Sequence, residues 1–217
     1  MIQPQSQAEW DARYQEKDRL WSGNPNAMLL EYASHIPPGV ALDVGCGEGA
    51  DALWLAQNGW KVTGIDLSTV AIGRAKEHAA VQNLNAEFLV RDARSYAEEV
   101  AERFDLVTAF FLHSRDEDHR AATMRALTRF VKPGGRILVA SHAEMPPWSK
   151  HHEHADGSPR PTFKITAKSE IADLGIADWL IDVAEEKERT ATGPEGEEAP
   201  LRDAVVLARK PAENGTC

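Results

Sequence analysis

The 217-residue chain contains two cysteines, Cys46 and Cys217, and so has no disulfide framework. It has no excess of basic residues. Twenty-four Lys and Arg stand against 34 Asp and Glu, a formal charge of −10, which argues against a surface built to neutralise phosphates. Nowhere do about eighteen apolar residues run together, and the opening Met-Ile-Gln-Pro-Gln-Ser lacks an apolar leader core. No Pro/Ser-rich linker, internal repeat or low-complexity tract divides the chain. The expectation is one cytoplasmic domain over 1–217, with no nucleic-acid or membrane partner. Oligomeric state leaves no trace in the sequence. Metal-ligand spacing is missing too. His151-His-Glu-His154 comes without a C-x-x-C or H-x-x-x-H partner, so it reads as a solvated loop and no metal is expected.

What is present is a strand that ends in three closely spaced glycines, Ala41-Leu-Asp-Val-Gly-Cys-Gly-Glu-Gly49. A helical segment follows over 50–58 and stops at Gly59. This is the geometry of a tight turn that brings backbone close to a ligand at a helix N-terminus. Asp66, about twenty residues on, has the spacing of an acid that accepts both hydroxyls of a ribose. An adenosine-containing cofactor is implied. Gly45, Gly47 and Ala50 also satisfy the dinucleotide pattern G-x-G-x-x-G/A. However, Asp43 before the turn and Glu48 within it would repel a pyrophosphate. A zwitterionic amino-acid tail with a sulfonium suits them better.

The rest of the chain alternates. Helices are expected at 7–18, 25–36, 50–58, 69–82, 96–101 and 118–130, with Asn24-Pro25 opening the second. Strands are expected at 40–44, 61–65, 86–90, 105–110 and 136–140. Such alternation gives a parallel α/β sheet covered on both faces. Two further strands, 179–189 and 204–210, have no helix between them and must pair antiparallel.

The order of the glycine turn, Asp66, Arg91-Asp-Ala-Arg94, Val131-Lys-Pro-Gly-Gly135 and the terminal hairpin resembles the class I S-adenosylmethionine-dependent methyltransferases over residues 8–210. The resemblance implies a Rossmann-like, doubly wound seven-stranded sheet of order 3-2-1-4-5-7-6 with strand 7 antiparallel. The opening Glu9-Trp-Asp-Ala-Arg-Tyr14, with Trp21 and Pro25-Asn26, is similar to the small-molecule branch that includes tellurite-resistance and thiopurine-type enzymes. The implied cofactor is S-adenosyl-L-methionine and the implied partner a small-molecule methyl acceptor.

On this resemblance Gly45, Gly47 and Gly49 run under the methionine portion, with Asp43 near its ammonium. Asp66 takes the ribose and Leu67 lies against the adenine. Asp92 and the Ala93 N–H bind the adenine edge, although Asp92 has an alternative role as a helix cap. Phe110, in the stretch 109–113, lies beside the sulfonium. Arg13, Tyr14 and Trp21 close over the cofactor from a helical lid, 1–38, with Arg13 or Tyr14 on its carboxylate; Tyr14 and Trp21 would equally serve as packing aromatics. The irregular insertion 142–162 is expected over the acceptor pocket. In-line displacement at a sulfonium needs positioning first and a base only for a protonated acceptor. His113 and His142, at the ends of strands four and five, are the candidates for that base. The competing readings are a nicotinamide-dependent oxidoreductase and a non-catalytic S-adenosylmethionine-binding module.

Overall fold

The computed structural model describes residues 5–100, 104–112, 114, 116–144, 164–192 and 196–212. His113 and most of the insertion, 145–163, lie outside the described residues, as does the His151–His154 motif.

The element order is α1 (Gln7–Gln15), α2 (Ala27–Ala33), β1 (Val40–Val44), α3 (Ala50–Gln57), β2 (Lys61–Asp66), α4 (Thr69–Val81), β3 (Ala86–Val90), α5 (Ala93–Glu99), β4 (Phe104–Phe110), α6 (Glu117–Phe130), β5 (Val131–His142), α7 (Ala167–Leu174), β6 (Leu180–Thr192) and β7 (Glu198–Arg209). The strands form one sheet in the order β3-β2-β1-β4-β5-β7-β6. Pairing is parallel from β3 to β5, and β7 is antiparallel to both β5 and β6. This is the expected topology.

The strands are apolar at successive positions because both faces are covered. Ala41, Val62, Phe88, Leu106 and Leu138 pack with Leu29, Leu53, Ile72 and Ala75 from α2, α3 and α4. Leu42, Ile65, Val107, Ile137 and Val139 pack on the other face with Ala97, Met124, Leu127, Phe130 and Leu174 from α5, α6 and α7. The chain order reverses between β1 and β4, so a crevice opens at the carboxyl ends of those strands.

Several boundaries differ from expectation. Helix α1 stops at Gln15, and the cap of α2 is Asn26, whose side chain accepts from Met28 N, rather than Asn24. Helix α5 starts three residues early because Asp92 caps it. Both hairpin strands run longer, since pairing extends through Thr192↔Glu198 into what reads as a turn. Helix α7 was not expected. It is short, but Thr166 and Ser169 form a capping box and Gly175 closes it with φ 69°.

Helix α7 is held by a buried ion cluster. Arg120 of α6 places Nη2 2.5 Å from Glu170 Oε1 and 3.0 Å from Ser141 Oγ, and Nη1 3.0 Å from Asp173. Its Nε donates to the carbonyl of Leu112 after β4. One side chain thus ties α6, α7, β5 and the end of β4 together. Removing one member of a buried pair strands the other charge, whereas removing both relieves the desolvation cost. Glu170→Ala should therefore lower unfolding free energy by about 3 kcal/mol, and the double variant Arg120→Met/Glu170→Leu by clearly less. Urea denaturation of the three proteins is the test; equal losses would show that the cluster contributes no specific pairing.

Candidate functional site

Between β1 and α3 the backbone reverses through three left-handed glycines, Gly45, Gly47 and Gly49, with φ of 70°, 52° and 88°. The N–H groups of Gly45 and Cys46 both donate to Ile65 O, at 2.8 and 3.0 Å, which pins the turn to the end of β2. A Cβ on Gly47 would lie 2.9 Å from the Tyr14 hydroxyl. The close approach that requires glycine there is thus made by the N-terminal segment as well as by any ligand beneath it.

Three carboxylates gather at this turn. Asp66 accepts from Gly47 N through Oδ2 at 3.0 Å and from Ser68 N through Oδ1 at 2.8 Å. Asp43 accepts from Thr108 Oγ1 at 2.8 Å through Oδ1, while its buried Oδ2 has no partner among the described residues. Asp51, in the first turn of α3, accepts from Asn26 N at 2.5 Å. Burial pushes all three carboxyls up. Asp43 lies well above the usual range, with the Asp51 charge adding to the effect of burial, and Asp51 is raised to about 6. Such a group of acids is matched to a cationic ligand. Asp51 was not anticipated; its position in the first turn after the glycines was the available signal.

Glu48 departs from expectation. Its carboxylate faces away from the crevice, onto Arg74 Nη1 at 2.9 Å and the backbone N–H groups of Leu20 and Trp21. It anchors the N-terminal segment, with its charge met by Arg74. Asp11 makes a second anchor at the start of α4, accepting from Ser68 Oγ at 2.6 Å, Thr69 Oγ1 at 2.9 Å and Val70 N at 3.2 Å. Between these anchors Tyr14 is buried and accepts from Trp21 Nε1 at 3.1 Å. The Arg13 guanidinium lies 5.3 Å from the centroid of Trp10 and 5.5 Å from that of Trp21. The three residues expected to close the site are therefore gathered over the turn.

The remaining expected residues share this edge. Leu67 follows β2, and Asp92 and Ala93 follow β3. Phe110 ends β4, half-buried against the core face of α2, α3 and α4. Asp92 uses Oδ1 to cap α5, accepting from Arg94 N and Ser95 N at 3.1 and 3.0 Å.

His142, the other histidine considered, ends β5. Its Nδ1 is 2.9 Å from Oδ1 of Asp203, a fully buried carboxylate whose Oδ2 accepts from Arg189 Nε at 2.5 Å. Phe111 stacks on the imidazole at 4.2 Å between centroids. Burial acts to raise the Asp203 carboxyl, but the hydrogen bonds and charges of His142 and Arg189 outweigh it and hold it below the usual range. Asp203, Arg189 and Phe111 escaped the sequence reading, because their convergence depends on strand register. Among the described residues no three His, Cys, Asp or Glu side chains are grouped to hold a metal, and no helix is long and apolar enough to cross a membrane.

The model of a methyltransferase domain matches residues 41–135, from β1 to the start of β5. The ubiquinone biosynthesis O-methyltransferase of Pseudomonas fluorescens strain Pf0-1 is 37% identical over 100 residues, 46% of this chain and 43% of that protein. The protein of the same name from Pseudomonas paraeruginosa is 35% identical over 133 residues, 61% and 56% of the two chains. The chain thus spans about half the length of these relatives. A structure solved in work on the conversion of a disulfide bond into a thioacetal group during echinomycin biosynthesis superposes with a TM-score of 0.77, at 27% identity and over 97% of this chain and 95% of the other. TehB from Haemophilus influenzae shares the fold with a TM-score of 0.66, at 21% identity over 94% of this chain and 66% of its own. So does the magnesium protoporphyrin IX methyltransferase of Synechocystis, solved with bound S-adenosylhomocysteine, with a TM-score of 0.63 at 17% identity over 83% and 78%. Residues 41–135 thus match a methyltransferase domain, and the sheet shares its fold with solved methyltransferase structures.

Proposed function

We propose that this protein transfers the methyl group of S-adenosylmethionine to a small-molecule acceptor by in-line displacement. The observation that carries the reading is Asp43, whose buried Oδ2 has no partner among the described residues, at a glycine turn crowded by Asp51 and Asp66. A buried acceptor without a donor is costly unless a ligand completes it, and here the surrounding charge calls for a cation. The ammonium and sulfonium of S-adenosylmethionine are such cations. A pyrophosphate would bring negative charge into the same acids, which counts against a nicotinamide cofactor.

When bound, the cofactor supplies a methyl group already activated by its positive sulfur. The chain's own residues bind and orient. Asp43 and Asp51 hold the cationic amino-acid portion, and Asp66 retains lone pairs for a ribose beyond the two backbone bonds that fix it. Leu67, Asp92 and Ala93 line the adenine end. Arg13, Tyr14 and Trp21 close the turn from above, with Arg13 the group for a carboxylate, and Phe110 borders the reacting centre. The relatives' names specify an oxygen acceptor in ubiquinone biosynthesis; what we carry over is a small organic acceptor and turnover, against a purely binding role. A cytoplasmic setting fits the unpaired Cys46.

S-adenosylhomocysteine should raise the melting temperature by mass action and NAD should not. Asp66→Ala should weaken S-adenosylhomocysteine binding by about 1.5–3 kcal/mol, the range for a hydrogen bond to a charged group. Calorimetric titration reads this directly, and an unchanged affinity would remove Asp66 from the site.

Asp51 makes a separate prediction about pH. Its folded value of about 6 lies above the unfolded one. The folded state binds the proton more tightly, so this stability is present at low pH and lost as pH rises through about 6. Asp51→Asn should therefore stabilise the ligand-free protein at about pH 7.5, and do so much less at about pH 4.5, while weakening cofactor binding. Denaturation at the two pH values checks it. A substitution effect independent of pH would show that Asp51 is ionised throughout.

A further inference from the structure

Helix α1 packs against α4, and two of its side chains reach the same two residues that hold Asp66. Asp66 is fixed by two backbone N–H groups, that of Gly47 on Oδ2 at 3.0 Å and that of Ser68 on Oδ1 at 2.8 Å. Beside Ser68 stands Asp11, whose Oδ1 accepts from the Ser68 hydroxyl at 2.6 Å. Three residues along α1, on the same helix face, the Tyr14 hydroxyl packs on Gly47, where a Cβ would lie 2.9 Å from it. The donors on which Asp66 depends are thus gripped, one each, from one face of one helix.

Ser68 has no polar group to spare. It is fully buried. Its N–H goes to Asp66, its carbonyl accepts from Ile72 N at 3.2 Å, and its hydroxyl accepts from Ala71 N at 3.1 Å as the cap of α4. A hydroxyl has one proton to give, and Asp11 takes it. Asp11 also accepts from Thr69 Oγ1 at 2.9 Å and Val70 N at 3.2 Å. It is therefore an anion seated on the first turn of a 13-residue helix, where the helix dipole favours it. Burial acts to raise its carboxyl, but the hydrogen bonds from Ser68, Thr69 and Val70 outweigh it and hold it below the usual range. Two acids share the start of α4, with Ser68 bonded to both. The Asp66 carboxyl is raised by burial first, and the Asp11 charge adds to that effect. What Asp11 gives Asp66 is position, not favourable charge.

Resting on the cofactor-binding reading above, we propose that Asp11 is a positioning residue for the ribose acid. By holding the Ser68 hydroxyl and the Val70 N–H it fixes the first turn of α4, and with it the N–H that orients Asp66. Docking of α1 and binding of a ribose are then one coupled equilibrium, and the coupling is reciprocal: a nucleoside ligand on Asp66 tightens the seat of α1.

Calorimetric titration with S-adenosylhomocysteine tests this in the full chain. Asp11→Ala should weaken binding about tenfold, the equivalent of one hydrogen bond to a charged group. Asp11→Asn keeps an oxygen for Ser68 and Val70 while removing the charge, so it should bind within about threefold of the wild type. In the Asp66→Ala background, Asp11→Ala should change affinity by less than about twofold, because its effect travels through Asp66. A merely structural role for α1 gives the same loss in both backgrounds. Amide exchange in the ligand-free protein is the second readout. Asp11→Ala should speed exchange at Ser68 N–H about tenfold and leave Leu20 and Trp21, whose N–H groups Glu48 holds, unchanged. Equal losses in the two backgrounds, Asp11→Asn as weak as Asp11→Ala, or unaltered exchange at Ser68 would overturn the proposal. Failure of the wild type to bind S-adenosylhomocysteine would instead overturn the cofactor reading, and wild-type affinity in Asp66→Ala the ribose assignment. Should Asp66→Ala bind too weakly to titrate, the Asp11→Asn comparison and the Ser68 exchange still decide.

Discussion

Asp43, Asp51 and Asp66 occupy one small volume around the glycine turn, and burial disfavours the charged form of each. Arg74 is paired with Glu48 of the same turn. The rest of the carboxyl edge is arranged around these acids. Backbone N–H groups of Gly47, Ser68 and Asn26 supply partial positive charge to two of the acids, and Thr108 supplies one hydrogen bond to the third. Of these three acids, Asp43 keeps one buried oxygen, Oδ2, with no hydrogen-bond partner among the described residues. Buried acids grouped in this way favour a ligand that brings positive charge.

The same edge carries a second convergence of side chains. The antiparallel entry of β7 between β5 and β6 sets Asp203 opposite His142, which an all-parallel sheet with helical crossovers would not do at this edge. The long hairpin is braced by α2 through Tyr32 and Lys187. The Arg120 cluster does the corresponding work beneath, tying the end of β4 to β5 and α7 so that the backbone carrying Phe111 and that carrying His142 stay in register.

Most of the fold was legible in the sequence because it is written in local patterns. Strand, glycine turn and helix follow each other within 41–57, and the acid at 66 lies at a fixed spacing. The sheet order followed from the resemblance those motifs carry. Helix α7 was missed because it is only eight residues long and Glu170 interrupts the apolar face formed by Ala167, Ile171 and Leu174. Glu48 was misjudged because its partner Arg74 is 26 residues away. Likewise, the resemblance placed Arg13, Tyr14 and Trp21 over the turn, but not the two anchors, Asp11 and Glu48, that dock that segment on α4 and the turn. The Asp203 contact is 61 residues from His142 and depends on a cross-strand register that no periodicity specifies. Side chains set by the local backbone could be read; those set by register could not.

The claim at the centre of this account is that a cationic ligand at the glycine turn offsets the burial that raises the carboxyls of Asp43 and Asp51, and so favours their charged forms. Calorimetry of S-adenosylhomocysteine binding at about pH 6, repeated in buffers of different ionisation enthalpy, measures the protons exchanged on binding. At that pH the ligand's amino group is already protonated, so any proton exchanged belongs to the protein. Net release of protons to the buffer, diminished in Asp51→Asn, is the predicted result. Binding with no proton release, or with uptake, would contradict it.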